Sequence, residues 1–282
     1  MADLIFRTVA KQAPRRHVNT VRRLGAVLVL ATSSIISPAS LAADFAARLG
    51  VDSWSQDLGG TIDSTNSEIG TVNVEDDLGF GSETGLSYYL MLEHPLGVVP
   101  NVKLQYTELN SEESNDLQRD ITYDNVTFTA NQTIRSSLDL NHVDLSLYWQ
   151  PVQGRFDVSV GVTIRVLDGS FTVRSEDNQS VARQSVDEAF PLPFAHVGYE
   201  FGDTGLSIDA EVKAAAYEGD KFIDGNLRLA WESTIGLGLE FGYRSITLEA
   251  DDLDVTDSNG NPDFIDLDIE AKGLYFGAFY EF

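Results

Sequence analysis

The run FDVSVGVTIR, residues 156–165, decides the fold class because apolar and polar residues alternate along it. Val158, Val160, Val162 and Ile164 fall on one face of an extended strand, and the residues between them are polar or glycine. One face of this strand therefore meets an apolar medium and the other a polar one.

The same period of two recurs from residue 44 to the end of the chain. It predicts ten strands, at 44–54, 84–94, 101–109, 134–150, 155–168, 192–201, 205–217, 223–232, 235–249 and 264–282. Tight connections rich in Pro and Gly alternate with mostly long acidic ones, the latter at 55–83, 110–133, 169–191 and 250–263. This alternation is typical of an up-and-down barrel that spans a membrane.

The period alone does not say which medium the apolar face meets, because soluble sandwiches also alternate. Three features favour lipid. Trp149, Phe156 and Trp231 lie near segment ends, where membrane barrels carry aromatic girdles. The opposite face carries both signs of charge together with glycine. The chain also ends in apolar residues at alternate positions, which resembles the C-terminal assembly signal of bacterial outer-membrane barrels: Leu274, Phe276, Tyr280 and Phe282.

Residues 43–282 are therefore expected to form an all-β, transmembrane, antiparallel up-and-down β-barrel of about ten strands, with eight as the main alternative. Residues 1–42 are predicted to be a signal peptide, because Lys and Arg residues precede a short apolar stretch at 24–36 and small residues follow, with cleavage after Ala42. That stretch is shorter than the roughly 20 apolar residues of a spanning helix. We expect export through the general secretory route to the bacterial outer membrane.

Charge and cysteine content exclude several classes of function. After residue 42 the chain holds 13 Lys and Arg against 43 Asp and Glu, a net charge of −30. Such a chain lacks the basic clusters that grip nucleic acid phosphates. It has no cysteine, which removes disulfides, thiolate chemistry and lipid-modified cysteine. A closed ring of interstrand hydrogen bonds would have to hold the exported fold.

Several short motifs resemble a family of small proteobacterial outer-membrane β-barrel proteins. They are Asp77-Leu78-Gly79, Leu92-Glu93-His94-Pro95, Pro100-Asn101, Phe190-Pro191-Leu192-Pro193 and Gly242-Tyr243-Arg244. The likeness spans most of residues 43–282. It implies the same fold and location, but that family has no assigned biochemical activity, so the resemblance leaves function open.

If the apolar faces look outward, the inward positions carry charges of both signs: Arg48, Asp52, Glu93, Lys103, His142, Asp144, Asp157, Arg165, His196, Glu200, Asp209, Glu211, Lys213, Asp224, Arg228, Glu232, Glu240 and Arg244. A barrel of this size is nearly filled by side chains. The first interpretation is a packed interior of paired charges and bound water, since unpaired buried charge is costly. The alternative is a narrow pore, which would prefer cations because ten carboxylates face six Lys and Arg.

Catalytic and metal signals are weaker. His142 and Asp144 share the inward face, either as an acid–base pair or joined by a structural hydrogen bond, and His94, beside Pro95, is expected to be a turn or interface residue. Neither Gly-x-Ser-x-Gly nor His-Glu-x-x-His occurs. Asp257, Asn259 and Asp263 form a weak calcium candidate, because Val255 would occupy the first ligand position of an EF-hand loop.

These observations predict a small surface-exposed membrane protein whose loops carry a structural, protective or interaction role. A narrow channel for small solutes or ions is the second hypothesis, and a surface protease or lipid-modifying enzyme the third. No cofactor is expected. The expected partners are outer-membrane lipid and lipopolysaccharide, periplasmic chaperones and the outer-membrane assembly machinery, and the protein is expected to be a monomer.

Overall fold

The computed structural model describes residues 45–64, 71–177, 179–217 and 220–282, so the predicted signal peptide lies outside the described residues. The strands are β1 (Ala46–Ser64), β2 (Val72–Asn73), β3 (Ser82–Glu93), β4 (Asn101–Thr107), β5 (Asn110–Asp116), β6 (Ile121–Tyr123), β7 (Val126–Phe128), β8 (Thr133–Asp139), β9 (His142–Val152), β10 (Phe156–Ser175), β11 (Val181–Glu200), β12 (Leu206–Tyr217), β13 (Asp220–Glu232), β14 (Leu237–Thr256) and β15 (Pro262–Glu281). In the described part of the chain, no helix is long and apolar enough to cross a membrane.

Ten of these strands close a barrel. Antiparallel pairing runs in the order β1, β3, β4, β9, β10, β11, β12, β13, β14, β15 and back to β1, where Arg48 pairs with Glu281. Both ends of this part of the chain lie at the same end of the ring, beside the tight turns. The structure confirms the predicted ten-stranded antiparallel barrel.

The outward side of the ring near the chain termini is an apolar belt. On β15 it runs from Phe282, through Phe276, to Leu274, which are 66%, 58% and 53% exposed. Beyond Leu274 the next outward residue is Lys272, and on β10 Asp168 follows Val166 in the same way. We call the ring inside this belt the lower barrel, and everything beyond it the upper extension.

The upper extension corrects the expected long loops. The strands continue through three of those acidic segments: β10 and β11 run to a tip at 176–180, β14 and β15 to a tip at 257–261, and β1 continues to Ser64. The apolar residues change face where the strand leaves the belt. On β10, Val166 points outward, whereas Phe171 and Val173 are buried inside.

The fourth segment, between β4 and β9, also forms strands. β8 pairs with the outer end of β10, and β5 pairs with β8. The predicted strand 134–150 is thus two strands, β8 and β9, separated at 140–141. Between β5 and β8 in the chain, β6 and β7 form a separate hairpin, in which Ile121 pairs with Phe128 and Tyr123 pairs with Val126.

The β6–β7 hairpin closes the end of the extension. Ile121, Tyr123 and Phe128 are at most 1% exposed and belong to one apolar cluster with residues from β1, β10, β14 and β15. At the hairpin tip Asp124 has a positive φ of 48°, as type I′ turns require. Its carboxylate accepts hydrogen bonds from the backbone N–H (3.1 Å) and the hydroxyl of Ser258 at the β14–β15 tip. Residues 110–133 are therefore a structural closure and not a free loop.

Candidate functional site: the charged interior of the lower barrel

Two buried carboxylates form the centre of the lower barrel. Arg165 on β10 lies between Asp144 on β9 and Asp224 on β13, donating to Asp144 through Nε and Nη2 at 2.6 Å each and to Asp224 through Nη2 at 2.6 Å. The three side chains are at most 3% exposed. This bridge crosses the barrel interior, because three strands, β10, β11 and β12, separate β9 from β13 in the ring.

Each central carboxylate has a second cation. Lys213 donates to Asp144 at 2.9 Å and to the amide oxygen of Gln105 at 3.1 Å. Arg244 donates to Asp224 through Nε (2.9 Å) and Nη2 (2.7 Å). Its Nη1 donates to the hydroxyl of Thr107. Charge-assisted bonds of this kind are stronger than neutral ones, and every member here has a partner.

A second group of charges lies nearer the chain termini. Arg228 donates to Asp209, with the shortest N–O distance 2.8 Å, and to Glu240 at 3.2 Å. The Tyr89 hydroxyl also donates to Glu240, at 2.8 Å. Glu211 connects the two groups, because it accepts from Lys103 at 2.7 Å and lies 3.3 Å from Lys213.

The rim beside the tight turns is more open. Arg48 pairs with Glu281 at 2.5 Å, and its guanidinium lies 4.5 Å from the ring centre of Phe279. His196 lies 3.2 Å from Asp157 and 3.4 Å from Asp209. These pairs connect the rim to the second group of charges.

Most of the predicted inward residues meet in this network. Those that form ion pairs are Arg48, Lys103, Asp144, Asp157, Arg165, His196, Asp209, Glu211, Lys213, Asp224, Arg228, Glu232, Glu240 and Arg244. Glu93 accepts from the Tyr148 hydroxyl at 2.8 Å. Glu200 differs, because it is exposed at the end of β11. Asp52 faces inward and is buried, but its Oδ1 has no hydrogen-bond partner.

The sequence interpretation missed uncharged members of the network. Gln105, Thr107 and Tyr89 make hydrogen bonds to its charged groups, and the Arg165 guanidinium lies 4.7 Å from the ring centre of Phe222. Gln105 and Thr107 could have been found, because they follow Lys103 at alternate positions on one strand.

The histidines do not form the suggested acid–base pair. His142 is buried, and its Nδ1 lies 2.9 Å from the carbonyl oxygen of Leu140, while Nε2 has no partner. No hydrogen bond joins it to Asp144. His94 lies in the β3–β4 turn, as expected, with Nε2 3.1 Å from the Pro100 carbonyl oxygen. In the part of the upper extension that the structure describes, there is no histidine.

Two clusters carry side chains of the types that bind metal ions. Ligand atoms of His142, Asp144 and Asp224 lie within 4.8 Å of one another. Arg165, Lys213 and Arg244 already neutralise both carboxylates, so a cation there would meet like charge in a poorly screened interior. These residues do not fit a metal ion.

The weak calcium candidate is a turn. Asp257 accepts hydrogen bonds from the backbone N–H groups of Asn259 (2.8 Å) and Asn261 (2.6 Å), and these bonds lower the pKa of the Asp257 carboxyl. Asp263 accepts from the Gln184 amide at 3.1 Å. Both carboxylates are therefore used by the protein's own donors, and Asn259 contributes its backbone to the turn.

The C-terminal residues end the belt. Leu274, Phe276, Tyr280 and Phe282 all point outward from β15, and Phe282 exchanges two 3.0 Å backbone hydrogen bonds with Ala47 on β1. These residues thus belong to the strand that closes the ring. Their role as an assembly signal stays a prediction.

The fold is similar to solved bacterial outer-membrane barrels. The outer membrane protease OmpT from Escherichia coli matches 85% of this chain and 97% of its own length, with a TM-score of 0.53 and 10% identity. The transport unit of the autotransporter AIDA-I from Escherichia coli (TM-score 0.39, 9% identity) covers 93% and 97%, and a FadL homologue from Pseudomonas aeruginosa (0.32, 9%) covers 85% and 90%. No family sequence model and no curated protein matches the chain.

At these identities the likeness to OmpT shows the fold alone. The class that fold and interior define is a closed, ten-stranded antiparallel β-barrel of the type solved for bacterial outer-membrane proteins. The narrower family suggested by the sequence motifs stays a prediction.

Proposed function

We propose that this chain is a non-enzymatic, integral β-barrel protein of the bacterial outer membrane. Its lower barrel is sealed to ions, and it anchors a rigid acidic extension that has a structural, protective or interaction role. The observation that carries the proposal is that the same strands present apolar residues outward in the belt and apolar residues inward beyond it.

The belt supports the membrane position. Large apolar side chains such as Val160, Leu229 and Phe241 are 46–49% exposed on the outer surface of the barrel. Soluble monomers rarely expose apolar patches of more than a few hundred Å². The inward charges of the lower barrel would have no reason to be inside if water lay outside.

Heat-modifiability tests this position. The folded barrel in isolated outer membranes should migrate differently on SDS gels before and after boiling, and deletion of Phe282 should weaken that shift because two backbone bonds to Ala47 are lost. A protein found free in the periplasm, with no boiling-dependent shift, would contradict the membrane proposal.

Two barriers in series support the sealed interior. Any ion entering the lower barrel would have to break the bridge of Arg165, Asp144 and Asp224, whose charges are already matched. Above it, an ion would have to cross the apolar cluster under the β6–β7 hairpin, where it would lose most of its hydration. The channel hypothesis requires both barriers to open.

Planar-bilayer recording separates the two hypotheses. We expect no steady conductance from the wild-type protein at high load. Steady conductance that changes when Arg165 or Arg244 is neutralised would favour a channel instead. An Arg135→Gln variant, altered at an exposed residue of the upper extension, is the matched control for loss of one positive charge.

The interaction role follows from the acidic surface of the extension. Exposed carboxylates such as Asp168, Asp251 and Asp254 would repel lipid phosphates at low divalent concentration. We therefore expect the folded protein to associate with lipopolysaccharide vesicles in Mg²⁺ and to dissociate in EDTA. Replacing the tip 257–261 should alter such contacts without unfolding the barrel, whereas replacing 110–133 would remove the closure itself.

A further inference from the structure

The wall of the lower barrel is incomplete at one seam. The β11–β12 ladder runs from Glu200↔Ser207 only to Phe194↔Lys213. Both strands continue past this point, β11 to Val181 and β12 to Tyr217. There β11 stays paired with β10 and β12 with β13, so the two pairs separate. Among the described residues, β11 meets the sheet again on this side only at Ser185↔Thr256 of β14.

Two prolines account for the end of the ladder. Pro193 and Pro191 are the β11 residues that come next to β12 beyond Phe194. Proline has no N–H to donate, and in sheets it is confined to positions without a ladder partner. The β10–β11 ladder continues through Val162↔Pro193 and Ile164↔Pro191, so the missing donors affect the side that faces β12.

The seam lies within the belt. Ile164, paired with Pro191, is 38% exposed on the outer surface, and Ile223, paired with Ala214 of β12, is 36% exposed. The outward residues turn polar only further on, at Asp168 and Lys221. In hydrocarbon, unpaired backbone groups are costly and lipid-facing sheet edges are avoided. Pro191 and Pro193 reduce this cost on β11, because they have no N–H group to leave unpaired.

The surface behind the seam is apolar. Phe190 points inward and is half-buried, with its ring centre 5.4 Å from that of Phe222. Ala215 pairs with Phe222 across the β12–β13 ladder, and its small side chain fills little of the space beside Phe190. Phe222 also lines a small cavity of about 20 Å³, whose walls include Leu167 and Ile246 as well as His142 and Arg165. The Phe190–Phe222 pair thus lies between the belt and this cavity.

We propose that this seam is a lateral binding site for one acyl chain of a lipid in the leaflet farther from the chain termini. The occupant follows from the position, because hydrocarbon would surround the wall at this level and the side chains immediately behind the seam, Phe190, Phe222 and Ala215, are apolar. The chain would pack against Phe190, Phe222 and Ala215 and fill the space between β11 and β12 beyond the end of their ladder. This inference rests on the proposed membrane position.

Quenching of tryptophan fluorescence by lipids brominated on the acyl chain tests the site. The background carries Trp54→Phe, Trp149→Phe and Trp231→Phe, and Phe190→Trp places one reporter behind the seam. Phe279→Trp is the matched control, because Phe279 also points inward, is 3% exposed and lies where β15 is paired on both sides. A third protein retains Trp231 alone and reports membrane insertion from the outer surface.

We expect quenching at residue 190 to approach that of Trp231, while residue 279 is quenched much less. If Trp231 is quenched but residue 190 behaves like residue 279, the seam is closed to lipid and the inference is wrong. If Trp231 itself is not quenched, the membrane position fails instead. The two failures are therefore distinguishable.

Restoring the missing N–H groups tests the cause. Pro191→Val together with Pro193→Val should extend the β11–β12 ladder and reduce quenching at residue 190 to the level of residue 279. Pro193→Val alone serves if the double variant does not show the boiling-dependent gel shift of a folded barrel. Unchanged quenching in a folded proline variant would overturn the role given to the prolines.

Discussion

The lower barrel and the upper extension are built from the same strands but are reversed in polarity. On β10, Val160 and Ile164 point out of the lower barrel while Arg165 is buried inside it. A few residues further along, Phe171 and Val173 are buried and Arg174 is exposed. The alternation persists, but its phase shifts by one residue. The surrounding medium, and not strand propensity, therefore decides which face an apolar residue takes.

The two regions are also stabilised differently. The lower barrel has a complete ring of backbone hydrogen bonds, apart from the seam, and an interior of matched charges. In the extension β11 pairs with β14 only at Ser185↔Thr256 among the described residues, so we expect its stability to depend more on the apolar side chains buried under the β6–β7 hairpin. Substitutions should therefore have different consequences on the two sides of the belt edge.

The largest effect is expected from Arg165→Leu. This substitution removes the cation that lies between Asp144 and Asp224. Breaking a buried ion pair lowers the free energy of unfolding by about 3–5 kcal/mol. Urea unfolding of the protein in lipid vesicles should show this loss. Arg135→Gln, which removes an exposed arginine 3.8 Å from Glu112, should change stability by less than about 1 kcal/mol. Equal stability of the two variants would mean that the charge network does not hold the lower barrel.

A charge placed on the outward face probes the belt edge directly. Val51 lies within the belt on β1. Its replacement by Arg should lower the free energy of unfolding in a bilayer by about 2–4 kcal/mol. Thr61→Arg, on the same face of β1 and paired with Asp268 in the extension, should change the free energy of unfolding much less. Both are measured by unfolding in vesicles. Similar costs at the two positions would remove the distinction between the regions.

The hydrogen bonds from Ser258 to Asp124 at the tip of the β6–β7 hairpin should contribute less stability, and only to the extension. Asp124→Ala removes an acceptor for Ser258, and hydrogen bonds to charged groups contribute about 1.5–3 kcal/mol. Hydrogen exchange should rise in 117–133 and at the 257–261 tip, while the lower barrel keeps its gel shift. Faster exchange throughout the ring would show that the two regions unfold as one unit.

Ring closure, strand number and the inward charges could be predicted from the sequence. The alternation of apolar and polar residues and the tight turns between strands are both local signals. The phase shift was also visible in principle, since Val166 and Leu167 are adjacent apolar residues on β10. The bridge from Arg165 to Asp224 could not be predicted, because it joins strands that are distant both in sequence and around the ring. The closure by 110–133 was missed because that segment is acidic, and its buried residues, such as Leu117 and Ile121, are few and widely spaced.

The smallest effect concerns Glu188, just beyond the belt edge on β11. Burial, with repulsion from Asp254 and Asp187, raises the pKa of its carboxyl above the ordinary value. The ionised form therefore destabilises the fold above that raised pKa, and stability is recovered as the pH falls toward the ordinary value. Glu188→Gln should be slightly more stable than wild type at neutral pH, and the difference should shrink on acidification. Glu176→Gln, with the same charge change at an exposed tip, should show a weaker pH dependence in parallel unfolding curves. If both variants follow the same curve, the local crowding of carboxylates at the belt edge has no energetic consequence, and only overall charge matters in the extension.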